Sequence, residues 1–167
     1  MNTKILRITI GLLCALWFCA TPIELYAQRI KTIDDLFASY EQAKGVNYIS
    51  LSPSLLKLMK DDLDEVMSNI TSLKILTLDL KTQEQKTLAA RIRTDALGLV
   101  KQENFEEIMK VREDQSEFSV YLSKKTHQAQ ALLLIADGNS ELMLIGITGT
   151  ISREVINAVL EGKIGIL

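Results

Sequence analysis

Few residues of this chain have the type and spacing that chemistry requires. The only histidine, His127, follows Lys124-Lys125-Thr126 in a polar stretch. Nucleophilic triads and zinc sites need partners for such a residue. The two cysteines, Cys14 and Cys19, both fall inside an N-terminal apolar run and offer none. Asp61-Asp62-Leu63-Asp64-Glu65 clusters carboxylates. A calcium loop would need a glycine at its tight turn and more oxygen ligands beyond. Val66, Met67 and Ile70 continue an apolar face instead, so the acids read as the opening of a helix, where its dipole favours them. Gly146-Ile147-Thr148-Gly149-Thr150 leads from a strand into a helix, a place where backbone donors could hold an anion. It lacks the third glycine of the dinucleotide fingerprint and the Gly-Lys pair of the phosphate loop. Its glycines therefore read as turn geometry. Arg91, Arg93 and Lys101 could grip an anion but read as a solvated helix face.

Two carboxylates alone can cleave a glycoside. The aromatics beyond residue 27, however, are Phe37, Tyr40, Tyr48, Phe105, Phe118 and Tyr121, most of them on apolar faces with little left to stack on a sugar. Asn69-Ile70-Thr71 is a glycosylation triplet too short to carry weight. No catalytic, cofactor-binding or metal-ligating residue is assigned, and no cofactor is expected.

The N-terminus reads as an export signal. Lys4 and Arg7 precede an apolar run from Ile8 to Ala20, Pro22 and Glu24 break it, and Ala27 stands before a cut ahead of Gln28. A span would need about 20 apolar residues, more than are present here. Lipidation of Cys14 or Cys19 would want a small residue before the thiol, where Leu13 and Phe18 stand. The expectation is a signal peptide over 1–27 and one α+β domain over 28–167, in the periplasm or secreted, with no membrane span after cleavage. Loss of the leader takes Lys plus Arg from 19 to 17 (Lys4, Arg7) and Asp plus Glu from 21 to 20 (Glu24), a net charge of −3. That balance gives no electrostatic case for nucleic acid.

The elements that must position any site are legible from periodicity. Thr32 with Asp35 resembles a capping box ahead of the apolar face Ile33, Leu36, Phe37 and Tyr40, with Gly45 placed to end the helix. Val46 to Leu51 predicts a first strand, and Ser52-Pro53 starts a short helix. A second strand covers Leu73 to Leu80. The Thr82 and Gln85 box then opens the longest helix, striped by Leu88, Ala89, Ile92, Ala96, Leu99 and Val100. Phe105 to Arg112 alternates as a third strand, and Phe118, Val120 and Leu122 form one face of a fourth. Ala131–Thr148 reads as two apolar runs about Asp137-Gly138, a favoured hairpin centre because glycine accepts positive φ. Thr150 or Ser152 caps a closing helix through Val155, Ile156, Val159 and Leu160. The fold expected is an antiparallel sheet, its last four strands a meander preceded by two earlier strands, with helices packed mainly on one face.

Leu36-Phe37-Ala38-Ser39-Tyr40, Gly45-Val46 and Ile49-Ser50-Leu51-Ser52 resemble the opening of domain-of-unknown-function family 4252, known from Bacteroidetes. Ile75-Leu76-Thr77, Met109 to Asp114 and the Leu132 to Gly138 hairpin ending in Ile147-Thr148-Gly149 are also similar. The resemblance runs from Ile30 to Val159 and implies a small exported envelope protein, with no catalytic residues to carry over. Gln115 stands where such proteins often have glycine after the acidic pair.

Leu132 to Ile135 and Leu142 to Ile145 are apolar at every position, so both faces of both strands want cover. A single layer of helices would leave one face to a partner. The leading expectation is therefore a non-enzymatic envelope module that binds itself or another protein through an apolar sheet face. The rivals are a small-ligand binder or carboxylate-dependent hydrolase with a site beside Gly146–Thr150, and a sensory partner in envelope signalling.

Overall fold

The computed structural model describes residues 30–58, 69–125 and 129–160. These form one six-stranded antiparallel sheet in the order β1-β2-β6-β5-β4-β3. The strands are β1 (Val46–Leu51), β2 (Ile70–Asp79), β3 (Phe105–Glu113), β4 (Ser116–Lys125), β5 (Ala129–Asp137) and β6 (Glu141–Gly149), with helices α1 (Ile33–Ala38), α2 (Pro53–Leu58), α3 (Gln83–Gln102) and α4 (Arg153–Leu160). The last four strands are the expected meander. The two earlier strands join at its open side, with Ile75 opposite Ile145 and Tyr48 opposite Leu76.

The β5–β6 hairpin lies at the sheet centre. Leu132, Leu133, Leu134, Ile135, Leu142, Leu144, Ile145 and Ile147 are all buried, as expected for strands covered on both sides. Alternate residues divide between two cores. On the first face Leu76, Leu78, Leu133, Ile135, Leu142 and Leu144 pack with Ile33, Leu36 and Phe37 of α1 and with Ile92, Ala96 and Leu99 of α3. On the second, Leu73, Val120, Leu122, Leu132, Leu134, Ile145 and Ile147 pack with Leu56 of α2 and Val155 of α4. The one long helix, α3, thus lies on the first face with the six-residue α1, and the second face has only α2 and α4, of six and eight residues.

Helix α3 links β2 to the far-edge strand β3. Twenty residues span about 30 Å, while four strand spacings of about 4.8 Å make about 19 Å, so the helix is long enough to cross the sheet obliquely. Both capping boxes are formed, at Thr32 with Asp35 and at Thr82 with Gln85. The Tyr40 hydroxyl, in the turn after α1, donates to Asp95 and ties that turn to α3.

Local expectations shift in four places. Helix α1 stops at Ala38, and Gly45, at φ 86°, serves the turn into β1 instead. Strand β2 begins at Ile70, ahead of the expected Leu73, because Ile70 faces Gly149 across the ladder. In the central hairpin Gly138 N–H donates to the Glu141 carbonyl, so the loop is centred on Asn139-Ser140 and Gly138 has no positive φ. In the β3–β4 turn the left-handed residue is Asp114, at φ 44°, and not Gln115; aspartate tolerates that conformation.

Candidate functional site

Coverage of the second face follows from helix length. An eight-residue helix is about 12 Å long, whereas nine-residue strands run about 30 Å. Helices α2 and α4 therefore cannot cover the whole face. Leu56, Ile151 and Val155 seal the end that holds Ile70, Leu73, Leu122, Leu132 and Ile147. Towards the β3–β4 and β5–β6 turns, Met109, Phe118 and Met143 are only partly buried, and Val111 is 36% exposed. A groove of about 560 Å³ lies there, floored by Met109, Val111, Phe118, Ala136 and Met143. Ile49 of the edge strand β1 is 53% exposed, on the same face as Leu51 and Ile75.

The groove has an acidic rim. Glu113 and Glu141 line it, and no lysine or arginine does. By strand alternation both side chains share the face of Val111 and Met143. Glu117 and Asp137 stand on the opposite face, where cations hold them. Lys110 and Arg112 bond to Glu117 and bring its carboxyl down to about 2. Arg93 pairs with Asp137, which corrects the reading of Arg93 as part of a solvated helix face: it reaches from α3 to β5. Arg91 and Lys101 are exposed as expected.

On the first face a second opening lies at the other end of the sheet, beside the Gly146–Thr150 stretch. Helices α1 and α3 leave that corner uncovered. A cleft of about 360 Å³ forms there between Thr32, the N-cap of α1, Asn69 and Thr71 at the start of β2, Ser123 of β4, and Thr148 of β6. Ile33, Phe105 and Ala131 give it apolar surface, and Lys31, Asp34 and Glu103 bring charge. Asp34 is taken by Lys74. Thr71 Oγ1 donates to the Thr148 carbonyl at 3.0 Å and lies 3.3 Å from Thr148 Oγ1. Ser123 is 1% exposed, and its Oγ has no hydrogen-bond partner.

The two glycines of the Gly146–Thr150 stretch have different causes, and only one is a turn. Gly146 lies inside β6, where a Cβ would stand 2.5 Å from Ile33 Cγ2 and 2.7 Å from Phe37 Cε2. It admits α1 against the sheet. Gly149 has φ 138°, and a Cβ there would meet the Asn69 carbonyl oxygen at 2.3 Å. The Asn69-Ile70-Thr71 triplet is part of this corner: the Asn69 carbonyl accepts from Thr150 N–H at 3.0 Å, and Ile70 is buried.

His127, the Asp61–Glu65 acids and residues 1–27 lie outside the described residues. Among the described residues there is no cluster of histidine, cysteine and acid side chains that could hold a metal. Nor is any described helix long and apolar enough to cross a membrane. Sequence reasoning expected an apolar sheet face in want of cover and raised a site beside Gly146–Thr150, where the cleft lies, but it did not single out the groove residues or the rest of the cleft lining. The groove residues read there as plain core, although the shortness of the helices beginning at Pro53 and Arg153 was a usable signal. Ser123 carried none, since its neighbours in the sheet, Phe105 of β3 and Ala131 of β5, come from other strands.

The model of the family described as Domain of unknown function (DUF4252) matches residues 40–159, a stretch from just after α1 into the last turn of α4. No curated protein matches the chain.

Proposed function

The chain belongs to the DUF4252 family, whose description names no activity, and from the geometry we propose that it is a non-enzymatic interaction module of the cell envelope. The observation that carries this reading is the open end of the second sheet face, where Met109, Val111, Phe118 and Met143 floor a groove with Glu113 and Glu141 beside it. Its occupant is a polypeptide segment with apolar side chains flanked by lysine or arginine. Apolar floor and acidic rim together select such a segment, because the rim charges favour a basic neighbour and penalise an acidic one. A symmetric pair of two copies is the weaker alternative, since a two-fold contact would set the same acidic rim against itself. Export is supported by Lys4 and Arg7 ahead of the apolar run that ends near Ala20.

Crosslinking in the native envelope tests this. A photoreactive side chain at Val111 should join the chain to another polypeptide, and one at the exposed Thr94 of α3 should not. No product from position 111, or equal products from both positions, would overturn the proposal.

A further inference from the structure

The two edges of the sheet are not alike. Strand β3, at one edge, carries Glu106, Glu107, Lys110, Arg112 and Glu113, and its pairing with β4 is broken by a bulge between Glu107 and Met109. Charges and bulges are the usual means by which an edge is kept from pairing with another chain. Strand β1, at the other edge, has neither. Val46-Asn47-Tyr48-Ile49-Ser50-Leu51 holds no charged residue and no proline, and it pairs with β2 in unbroken register. Among the described residues no strand pairs with its outer side, so alternate backbone N–H and C=O groups there point outward. Tyr48 packs against Phe37 on the first face. Ile49, 53% exposed, is the residue of this strand with apolar surface to spare.

A strand without charges suits a copy of itself. Antiparallel pairing about a two-fold axis normal to the sheet keeps each face on its own side, so residues of one face meet residues of the same face. Centred on Ile49, it sets Ile49 against Ile49 of the second copy, Asn47 against Leu51, and Tyr48 against Ser50. No like charges meet in that ladder, and the exposed isoleucine is covered by its equal. Gly45, at φ 86°, turns the chain at one end, and Pro53, which has no N–H, stops it at the other. A contact of six residues a side falls below the roughly 1,200 Å² of a standard interface, so it forms reversibly. We propose that β1 is a self-association edge, at which two copies pair β1 to β1, antiparallel about Ile49, into one continuous sheet. The inference goes beyond the groove and does not depend on it. The groove is lined by residues of β3, β4, β5 and β6 and stays open in the pair. Because the axis is normal to the sheet, both grooves face the same side, an arrangement that adds avidity for a partner with two segments to offer.

The test uses the whole chain with Cys14→Ser and Cys19→Ser, so that an introduced thiol is the only one whether or not the leader is cut. Under mild oxidation Ile49→Cys should give a disulfide-linked pair at least about tenfold faster than Asn47→Cys, because only directly opposed residues come within disulfide reach. Hydrogen exchange on the chain without an added cysteine supplies the second reading. In dilute solution β1 amides should exchange as fast as those of β3. From about 10 μM to about 1 mM, the range in which so small a contact forms, β1 should gain protection and β3 should not. Ile49→Lys, which sets two like charges opposite each other at a half-exposed position, should abolish that gain while the protection of β5 and β6 persists. Equal crosslinking at positions 47 and 49 overturns the proposal. So does β1 protection that is absent at both concentrations, equal at both as for an edge covered by its own chain, or untouched by Ile49→Lys.

Discussion

At Gly149 the backbone runs at φ 138°, and an added Cβ would stand 2.3 Å from the Asn69 carbonyl oxygen. Gly149→Ala therefore combines backbone strain with overlap against main chain that cannot swing aside. It should cost about 2–4 kcal/mol in urea unfolding. Gly146→Ala meets side-chain atoms of Ile33 and Phe37, which can move a little, and should cost about 1–3 kcal/mol. Gly98 faces nothing closer than Gln102 Nε2 at 3.9 Å, so Gly98→Ala should stabilise α3 by about 0.5–1 kcal/mol. Equal effects at the three positions would contradict this ranking.

Titration adds a prediction at the same scale. Glu117 has a folded pKa of about 2 against an ordinary 4.5, through its bonds to Lys110 and Arg112. A depressed carboxyl contributes its full stabilisation above the unfolded pKa and loses it as pH falls towards the folded one. Unfolding midpoints should thus drop between pH 4.5 and about 2, and Glu117→Gln should flatten that slope. Tyr40 behaves in the opposite sense. Burial first, and then its bond to Asp95, raise its pKa above the usual 10.0. Its contribution is full below that pH and fades above it. Tyr40→Phe should cost about 1–2 kcal/mol at neutral pH and remove that alkaline loss. Tyr40 was legible as an apolar-face residue. Its bond to Asp95, which lies far along the chain on α3, was not.

The elements show why some of the fold could be read and some could not. Capping boxes at Thr32 and Thr82 are local, four residues end to end, and both stand where the sequence places them. Alternation likewise sets β1 and the faces of β4, because period two is a property of the strand itself. The place of β2 beside β6 depends on pairing between distant parts of the chain, such as Ile75 with Ile145, and no local pattern encodes it. Arg93 was misread for the same reason, since Asp137 lies on a strand far along the chain. Division of the sheet into a central hairpin and two edges has a measurable consequence. Amides of β5 and β6 should exchange most slowly and those of β1 and β3 fastest, because edge strands open without disrupting the core. Hydrogen exchange read residue by residue checks this, and equal protection across the six strands would count against it. Val155, fully buried on the second face, should cost about 2 kcal/mol as alanine. Half-exposed Ile49 should change stability by less than about 0.5 kcal/mol.

For the whole molecule, the two faces of the sheet have different roles because their helices differ in length. Twenty-residue α3 and the short α1 cover much of the first face and leave the Ser123 corner open. The six- and eight-residue helices on the second face reach over one end and leave the other open. The apolar excess of the central hairpin was plain in the sequence. That it resolves into one sealed end and one open end depends on where α2 and α4 land, which periodicity does not give. If this open end receives a foreign polypeptide, the sequence of whatever is joined to a photoreactive side chain at Val111 will show it. The peptide recovered should come from another protein, with lysine or arginine close to its apolar attachment point, and the product should be lost when Glu113→Lys and Glu141→Lys are combined. A peptide from a second copy of this chain, or from its own residues 59–68 or 161–167, would contradict it.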